Sequence, residues 1–402
     1  MKKDAEISII IPTFDDVDLL RVVLEALNTQ ILKPNEIVVI DSSSNNKIKS
    51  LIHDELADSN LNIVYRNAEG LGPNEAKNLG ATKAAFGLIG FLDTKTIPAD
   101  NWLKVYSDML IQQGGGVIFG KTRYLASTNF QKLLRDSTYG NTGHETAPGS
   151  LLQKNIFFEA GQILTIARSG IDIEWRDRLK AKGFSWSSPE DTYLTYNDLP
   201  NNLILTLKKF FFYQMYGAMV NIQNTVKEVY LGLLLILSAI IIPQWNGIVG
   251  WDQSPLYLPY ITRVYLITLV IIFLSSLIIN KGFFRNLKSS LVTNIIKAII
   301  LALLFIVFFR WNDVVANWVE ESVWYVPNIT KIYVTLIFLA SILYRGLYFP
   351  YRNGVLIEDL FPLRWLQVGF LGLLLDLAKA PGYLLGSIML PFIDNKSKQN
   401  KN

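Results

Sequence analysis

Polar side chains that can bind a charged or hydroxylated ligand follow three short apolar runs in the N-terminal part of the chain. They are Pro12-Thr13, Asp41-Ser42 and Asp93-Thr94-Lys95. Together they offer carboxylate, hydroxyl and ammonium groups, which accept hydrogen bonds, donate them or balance charge. Because the chain has no cysteine and only two histidines, His53 and His144, thiolate chemistry, disulfides and a multi-histidine metal site are excluded.

The elements that position these groups alternate between strand and helix. Apolar, largely β-branched runs predict buried strands at residues 7–11, 36–40, 62–65 and 87–92. Helical spacing of apolar residues predicts helices at 15–28 and 73–85. Such an alternation favours parallel strands with right-handed crossovers, and ligands bind beyond the carboxyl ends of such strands. The three polar groups are therefore predicted to share one edge of a sheet.

The part of the chain between residues 114 and 187 has a less regular pattern. A glycine-led apolar run at 114–120 predicts another strand. Residues 137–153, rich in Gly, Thr and Ser, predict a mobile loop.

Apolar residues are distributed unevenly along the 402-residue chain. They form short runs up to about Asn224 and long blocks beyond it, and half of all residues are hydrophobic. The mean hydropathy of +0.26 is high for a soluble enzyme. This shift predicts a folded domain at 1–225, transmembrane helices at 226–350 and a cytoplasmic loop, an apolar segment and a basic tail at 351–402.

Charge and the first residues exclude two other classes of partner and location. A net charge of +4 without a basic stripe argues against a nucleic acid as partner. The apolar run Ile7–Ile11 is ended by Pro12 and is too short for the core of a secretory signal. The N-terminal domain is therefore expected to stay in the cytoplasm.

Five segments of the N-terminal domain resemble the inverting family 2 glycosyltransferases. They are residues 7–14 (ISIIIPTF), 36–44 (EIVVIDSSS), 72–80 (GPNEAKNLG), 91–98 (FLDTKTIP) and 188–194 (SPEDTYL). The resemblance covers residues 7–225 and depends on the order and spacing of the five segments. It implies the α/β class: a GT-A domain, Rossmann-like with a mixed, mainly parallel sheet, followed by an all-α transmembrane region.

The same resemblance implies which residues bind a nucleotide-sugar donor. Asp41, with Ser42 beside it, would accept a hydrogen bond from the base or the ribose. Pro12-Thr13 would shape the base pocket through its backbone. Lys77 and Asp93 would lie near the ribose and the diphosphate.

The resemblance also implies an acceptor side and a catalytic base. Asp191, with Glu190 beside it, would take the proton of the attacking hydroxyl, which requires a carboxylate within hydrogen-bond reach. One displacement by that hydroxyl inverts the anomeric centre. Residues 158–168 would form a strand on the acceptor side.

The segment that matches the metal-binding motif departs from the family pattern. It reads Asp93-Thr94-Lys95, and an ammonium cannot coordinate Mg²⁺ or Mn²⁺ in place of the second carboxylate. Three interpretations stay open. Asp93, the diphosphate and water hold a weakly bound ion; or Lys95 replaces the ion as a fixed positive charge; or the domain has lost catalysis and Lys95 pairs with Asp93.

Four apolar stretches of the C-terminal half predict membrane spans. They are residues 229–251, 264–280, 291–309 and 332–344, the last extended by aromatic flanks from 325 to 349. The loops at 280–290 and 345–364 are basic, whereas those at 243–260 and 310–331 are acidic. This alternation places the basic loops in the cytoplasm with the N-terminal domain.

The last apolar stretch, residues 365–392, is interrupted by Asp376, Lys379 and Pro381. Because charges in mid-membrane are costly, a re-entrant or interfacial hairpin that bends near residues 379–382 is favoured over a fifth span.

Two classes of function follow. The first is a hexosyltransferase-like enzyme that transfers a sugar from a nucleotide donor to a lipid-linked or membrane-associated glycan acceptor, in polysaccharide or glycolipid biosynthesis. The second is an inert GT-A domain that serves as a binding or assembly subunit in membrane glycan synthesis. Asp41 and Asp191 favour the first class, and Lys95 favours the second.

Overall fold

A computed structural model describes residues 6–56, 59–166, 169–220, 245–259, 261, 338–339 and 341–399. Its strands are β1 Ile7–Thr13, β2 Glu36–Asp41, β3 Ile63–Asn67, β4 Leu88–Phe91, β5 Thr96–Pro98, β6 Val117–Tyr124, β7 His144–Gln153, β8 Trp186–Ser187 and β9 Leu194–Tyr196. Its helices are α1 Val17–Asn28, α2 Lys47–Ser50, α3 Pro73–Lys83, α4 Trp102–Gln112, α5 Asn129–Thr138, α6 Lys154–Ala160, α7 Ile171–Ala181, α8 Leu203–Met219, α9 Trp245–Val249, α10 Phe349–Arg352, α11 Ile357–Leu360 and α12 Arg364–Gln399.

The strands form one mixed sheet in the order β3-β2-β1-β4-β7-β6-β9-β5, with β8 beside β6. The first four strands of that order run parallel, as the alternation of strand and helix predicts. Strand β7 runs antiparallel to both of its neighbours, β4 and β6. The GT-A class, Rossmann-like with a mixed and mainly parallel sheet, is confirmed, and a helical C-terminal region follows it.

Both faces of the sheet are covered, which is why β1 and β2 are almost continuously apolar. Ile9 and its alternate neighbours in β1 pack with α1 and α4, including the fully buried Trp102. Ile10 points to the opposite face, where it lies in the core that contains Phe91 and Trp175. A strand buried on both faces has no position where a polar residue is favoured.

Two predictions for the middle of the chain are wrong. Residues 137–153 do not form a mobile loop, because β7 occupies most of this stretch and pairs with β4 and β6. Its Leu151 and Leu152 are fully buried, and this burial outweighs the turn-forming composition. Residues 158–168 do not form a strand, since α6 extends to Ala160 and irregular backbone follows it in the described residues.

Most or all of each of the four predicted spans lies outside the described residues. Among the residues that are described, one helical stretch, Arg364–Met389, is long and apolar enough to cross a membrane. The domain boundaries at 225 and 350 stay predictions.

Helix α12 contradicts the predicted hairpin at 379–382, because it runs without a break through Pro381. The charges that argued against a straight helix are compensated within the protein. Asp376 lies 2.7 Å from Arg345 and 3.1 Å from Lys379. A proline interrupts one helical hydrogen bond, but here the helix packs on α8 on the C-terminal side of the proline as well.

Glycines bring α12 into direct contact with α8. A Cβ atom on Gly382 would lie 2.3 Å from the carbonyl oxygen of Phe211, and one on Gly386 would lie 2.1 Å from that of Met215. A second contact joins α12 to α5, where Asp136, which is 1% exposed, forms ion pairs with Arg135 and Arg364. The helical layer is therefore fixed to the sheet domain.

Helix α3 contacts β1 through Gly80, and this contact generates a stability prediction. A Cβ atom at this position would lie 2.4 Å from Cγ2 of Ile10. We expect Gly80→Ala to destabilise the domain by about 1–3 kcal/mol through overpacking, which outweighs a gain of up to about 1 kcal/mol in helix propensity.

Gly87→Ala is the matched control, because nothing lies within 4 Å of a Cβ atom built there. It should change the free energy of unfolding by less than about 0.5 kcal/mol. Denaturant unfolding of the full chain in a mild detergent measures both. Equal midpoints for the two variants would contradict the close approach of α3 to β1.

Candidate functional site

The three predicted polar groups do share one edge of the sheet. In the parallel register Thr13 lies opposite Asp41, and Ile10 lies opposite Phe91. The Ser42 amide donates to the carbonyl oxygen of Thr13 at 2.9 Å. The loops that follow β1, β2 and β4 therefore open at the same carboxyl edge.

Asp41 holds the loop after β2 and is fully buried. The Tyr65 hydroxyl donates to its Oδ2 at 2.9 Å, and the Ser43 amide donates to its Oδ1 at 2.9 Å. Ser43 in turn accepts from the Asp15 amide at 2.8 Å. Asp41 thus positions the loop that contains Ser42, and its carboxylate does not face solvent. Pro12-Thr13 is also buried, so this part of the edge presents mainly backbone.

A buried lysine holds the carboxylate that follows β4. Lys77 on α3 lies 2.7 Å from Asp93, and its side chain is 8% exposed. An ammonium is rarely buried unless a carboxylate compensates it. The start of α3 is itself fixed, because Glu75 accepts from the Gly72 amide at 2.8 Å. Lys77 and Asp93 are therefore brought together as the resemblance implies.

Lys95 pairs with Asp198, and not with Asp93. The Nζ atom of Lys95 lies 2.6 Å from Oδ2 of Asp198, and both side chains are exposed to solvent. The antiparallel pairing of β5 with β9 sets Thr96 opposite Tyr196 and so brings residues 95 and 198 together. Of the three interpretations, the one in which Lys95 pairs with Asp93 is wrong, because Asp93 is already ion-paired with Lys77.

Asp172 belongs to the same site, although the sequence analysis did not identify it. It lies in the first turn of α7, after Gly170 with φ of 75°. Burial raises the pKa of Asp172, which the Ile173 amide and the Lys77 charge lower in part. The sequence signal was an acidic residue at the start of an amphipathic helix, which also suits an ordinary helix terminus.

Several tyrosine rings pack together near these charged side chains. The rings of Tyr124 and Tyr139 stack at 3.8 Å, and that of Tyr196 lies 5.3 Å from Tyr124. Burial, followed by the charges of Asp172, Asp198 and Asp93, raises the pKa of Tyr213 to about 12.

Burial also raises the pKa of Tyr124 and of Tyr196, so these phenols stay protonated hydrogen-bond donors at neutral pH.

Glu190 and Asp191 are exposed to solvent. Lys121 donates to the carbonyl oxygens of Pro189 and Glu190, and thereby fixes the backbone of the segment. Asp191 precedes β9, whereas the site residues lie at the other end of that strand, at and beyond Tyr196. Among the described residues, no hydrogen bond or ion pair joins the Asp191 side chain to the Lys77–Asp93 pair, and its role as the base stays a prediction.

The side chains at this edge do not fit a metal site held by carboxylates. Hard divalent ions require several oxygen ligands, but Asp93 is engaged by Lys77, and Lys95 presents an ammonium. The part of the chain that the structure describes contains no group of three or more acidic, histidine or cysteine side chains suited to an ion.

Comparison with known proteins identifies the family of the N-terminal domain. The model of Glycosyl transferase family 2 matches residues 8–172. A chondroitin synthase of Escherichia coli is 25% identical over 162 residues, which cover 40% of this chain and 21% of that protein. Glycosyltransferase AglE of Haloferax volcanii is 24% identical over 200 residues, which cover 46% of this chain and 64% of that protein. The chain thus spans about a fifth of the first curated relatives that it matches.

Solved structures with a similar fold include two glycosyltransferases. S. aureus TarS in complex with UDP-GlcNAc aligns with a TM-score of 0.40 and 15% identity, over 60% of this chain and 73% of that chain. The mannosyltransferase PcManGT of Pyrobaculum calidifontis, in complex with GDP-Man and Mn²⁺, aligns with a TM-score of 0.41 and 16% identity, over 54% of this chain and 64% of that chain. On the match over residues 8–172, this chain carries a domain of Glycosyl transferase family 2.

Proposed function

We propose that the chain is a membrane-associated glycosyltransferase that moves a sugar from a nucleotide-sugar donor to a lipid-linked or glycan acceptor. The observation that carries the proposal is the cluster of Lys77, Asp93, Lys95, Asp172 and Asp198 at the carboxyl edge of a family 2 sheet. Displacing a nucleoside diphosphate requires positive charge for the leaving phosphate and a carboxylate for the attacking hydroxyl. This edge contains both.

We assign the donor nucleotide to the loops after β1 and β2. Pro12-Thr13 and Ser42 offer backbone groups to the base, and the buried Asp41 keeps these loops in position. Lys77 and Asp93 lie beyond them, toward the ribose and the diphosphate. The proposal assigns Asp41 a positioning role, because its carboxylate already accepts from Tyr65 and the Ser43 amide.

Asp172 is better supported than Asp191 as the general base. It is half-buried beside Lys77 and close to Tyr124 and Tyr213, where an acceptor hydroxyl can meet the donor. A base works best when its pKa is raised toward the working pH, and burial raises the pKa of Asp172. Asp191 is exposed and therefore lacks this burial. Attack by the deprotonated hydroxyl in one displacement gives inversion.

Positive side chains are the simplest way to neutralise the diphosphate here. Lys95 stands where the family pattern has a carboxylate, and its partner Asp198 is partly exposed and free to turn toward solvent. An ion held weakly by Asp93, the diphosphate and water is the alternative, but it has to compete with Lys77 for Asp93.

The acceptor and the location follow from the C-terminal helices. The apolar helix α12 lies in the helical layer that adjoins the sheet domain, which supports an active site held near a bilayer surface. A membrane lipid carrying a phosphate or glycan would then reach the edge from the cytoplasmic side. The proposal keeps several spans and a cytoplasmic domain, as the loop charges of the sequence indicate.

A second candidate function is an inert subunit that binds nucleotide sugar for assembly on a membrane partner. The two lysine–carboxylate pairs favour it, because they satisfy the charges of the edge without a substrate. Activity separates the two functions directly.

Substitution of the two candidate bases gives opposite results under the two assignments. We expect Asp172→Asn to lower kcat/KM by about 10²–10⁴-fold, because proton transfer loses its carboxylate. Asp191→Asn, the matched control, should stay within about twofold of the native chain, since surface substitutions are usually nearly neutral.

The assay follows release of UDP or GDP from a panel of nucleotide sugars with membrane lipid present. Because the pKa of Asp172 is raised and the base must be ionised, the native rate should fall as the pH drops, at a higher pH than for an ordinary aspartate. The assignment would be reversed if Asp191→Asn lost activity and Asp172→Asn kept the activity of the native chain.

Chelation tests how the diphosphate is neutralised. We expect transfer to continue in EDTA and Lys95→Ala to lower kcat/KM by about 10²-fold, because one charge on the leaving group is lost. Lys95→Arg, which keeps the charge, should recover most of the rate. Metal-dependent activity that survives Lys95→Ala would contradict the role of Lys95. Nucleotide binding without any transfer would support the inert subunit.

A further inference from the structure

Helix α8 brings a third lysine, Lys209, to this edge. Lys209 lies outside residues 8–172, and its Nζ atom faces the ring of Tyr196, which pairs in the sheet with Thr96, the residue after Lys95. Burial lowers the pKa of Lys209 most, the Asp198 charge raises it and the Lys95 charge lowers it further. Of these three side chains two are ammonium groups, and the one carboxylate, Asp198, is ion-paired with Lys95.

The ammonium group of Lys209 lies against tyrosine rings, which attract its charge but do not neutralise it. Its Nζ atom lies 5.6 Å from the ring centre of Tyr196 and 5.5 Å from that of Tyr213. Such faces attract a cation by their quadrupoles but contribute no charge. Among the described residues, no carboxylate lies within ion-pair distance of Lys209, whereas Lys95 has Asp198 at 2.6 Å. A half-buried cation in this position is poised for an external anion.

The location of the pair indicates which anion it takes. Lys95 follows β4 by a few residues, and the Lys77–Asp93 pair lies beside it on the same edge. Lys77 is paired with Asp93 and Lys95 with Asp198, so Lys209 is the lysine of this edge that has no ion-pair partner among the described residues. A diphosphate carries more charge than a carboxylate and offers several acceptor oxygens to two ammonium groups. Asp198 is about half-exposed and can turn to water when it is displaced.

We propose that Lys95 and Lys209 form a two-lysine site for the diphosphate of the donor, with Asp198 as a counter-ion that the diphosphate displaces. The inference rests on the proposed function for the identity of the ligand. It assigns a donor-binding residue to α8, the helix that packs on the apolar helix α12. It also explains how the edge handles a diphosphate where its side chains do not fit a metal ion.

The sign of the Asp198 effect distinguishes this site from a metal site. If Asp198 held an ion, Asp198→Asn would weaken binding of a diphosphate. If Asp198 competes with the diphosphate for Lys95, the same change must strengthen binding. Few other substitutions of a carboxylate have opposite outcomes under the two chemistries.

The test measures binding of inorganic pyrophosphate to the full chain in detergent with EDTA, by isothermal titration calorimetry. We expect Asp198→Asn to lower the Kd by about threefold or more, because the competing charge is removed. Lys209→Met should raise the Kd by about tenfold or more through loss of a charge-assisted hydrogen bond. Lys209→Arg should stay within about threefold, since it keeps the charge.

Lys208→Met is the matched control, because Lys208 is the neighbouring residue of α8 and is exposed. It should leave the Kd within about twofold, and unfolding midpoints report whether each variant keeps its fold. The proposal is overturned if pyrophosphate binds only with Mg²⁺ or Mn²⁺, if Asp198→Asn weakens binding, or if Lys208→Met and Lys209→Met have equal effects.

The outcome is separable from that of the proposed function. Pyrophosphate binding with the expected variant pattern, but without transfer from any nucleotide sugar, would retain the two-lysine site and reject the enzyme. Transfer in EDTA that Lys209→Met leaves unchanged would retain the enzyme and reject the site.

Discussion

A lysine at position 95 sets a positive charge where the family pattern has a carboxylate, and the charges around it are arranged accordingly. Lys77 neutralises Asp93 in an ion pair of 2.7 Å. Asp198 neutralises Lys95 from the end of β9. Each pair needs its own supporting element: α3 for the first and the β5–β9 ladder for the second. The geometry of the edge therefore depends on where each ammonium finds a counter-ion.

The C-terminal helices are part of this arrangement. α8 presents Lys209 and Tyr213 to the edge with one face and packs on α12 with another. Because backbone contacts backbone at Gly382 and Gly386, the two helices have little freedom to slide. The buried Asp136 fixes α12 to α5 through Arg364, and a buried pair of this kind is costly to break. A helix apolar enough for a bilayer is thus connected mechanically to the charges at the site.

The sheet could be predicted because its signal is local. Doubly buried strands such as β1 and β2 are apolar without interruption, and their alternation with helices leaves few topologies. The strand β7 was missed because glycine, threonine and serine are ordinary turn residues, and only its pairing with β4 and β6 makes it a strand. The continuous α12 was missed for the same kind of reason. Pro381 and the charges near it favour a bend locally, but Arg345 and α8 compensate them from distant parts of the sequence.

The site was predictable only in part, since ion-pair partners depend on the fold. Asp93 and Lys77 follow recognisable segments, and the structure joins them. Asp198 and Lys209 carry no such pattern and reach the edge only through β9 and α8. Asp172 looks like any acidic residue in a first helical turn, whereas Asp191 was assigned as the base because residues 188–194 resemble a segment of the family. Exposure separates the two where the sequence could not.

Three aspartates at one edge can have three roles because their surroundings differ. Asp93 is ion-paired with a buried lysine, which keeps its carboxylate fixed. Asp198 is paired with Lys95 but exposed. A more highly charged anion can therefore displace it from Lys95, because water then solvates the Asp198 carboxylate. Asp172 is half-buried, and burial raises its pKa above that of an ordinary aspartate, which suits proton transfer. Environments that separate the pKa values of neighbouring acids are how active sites divide their chemistry. The proposed roles therefore give the edge a positioning carboxylate in Asp93, an exchangeable one in Asp198 and a basic one in Asp172, and the charges of all three raise the pKa of Tyr213.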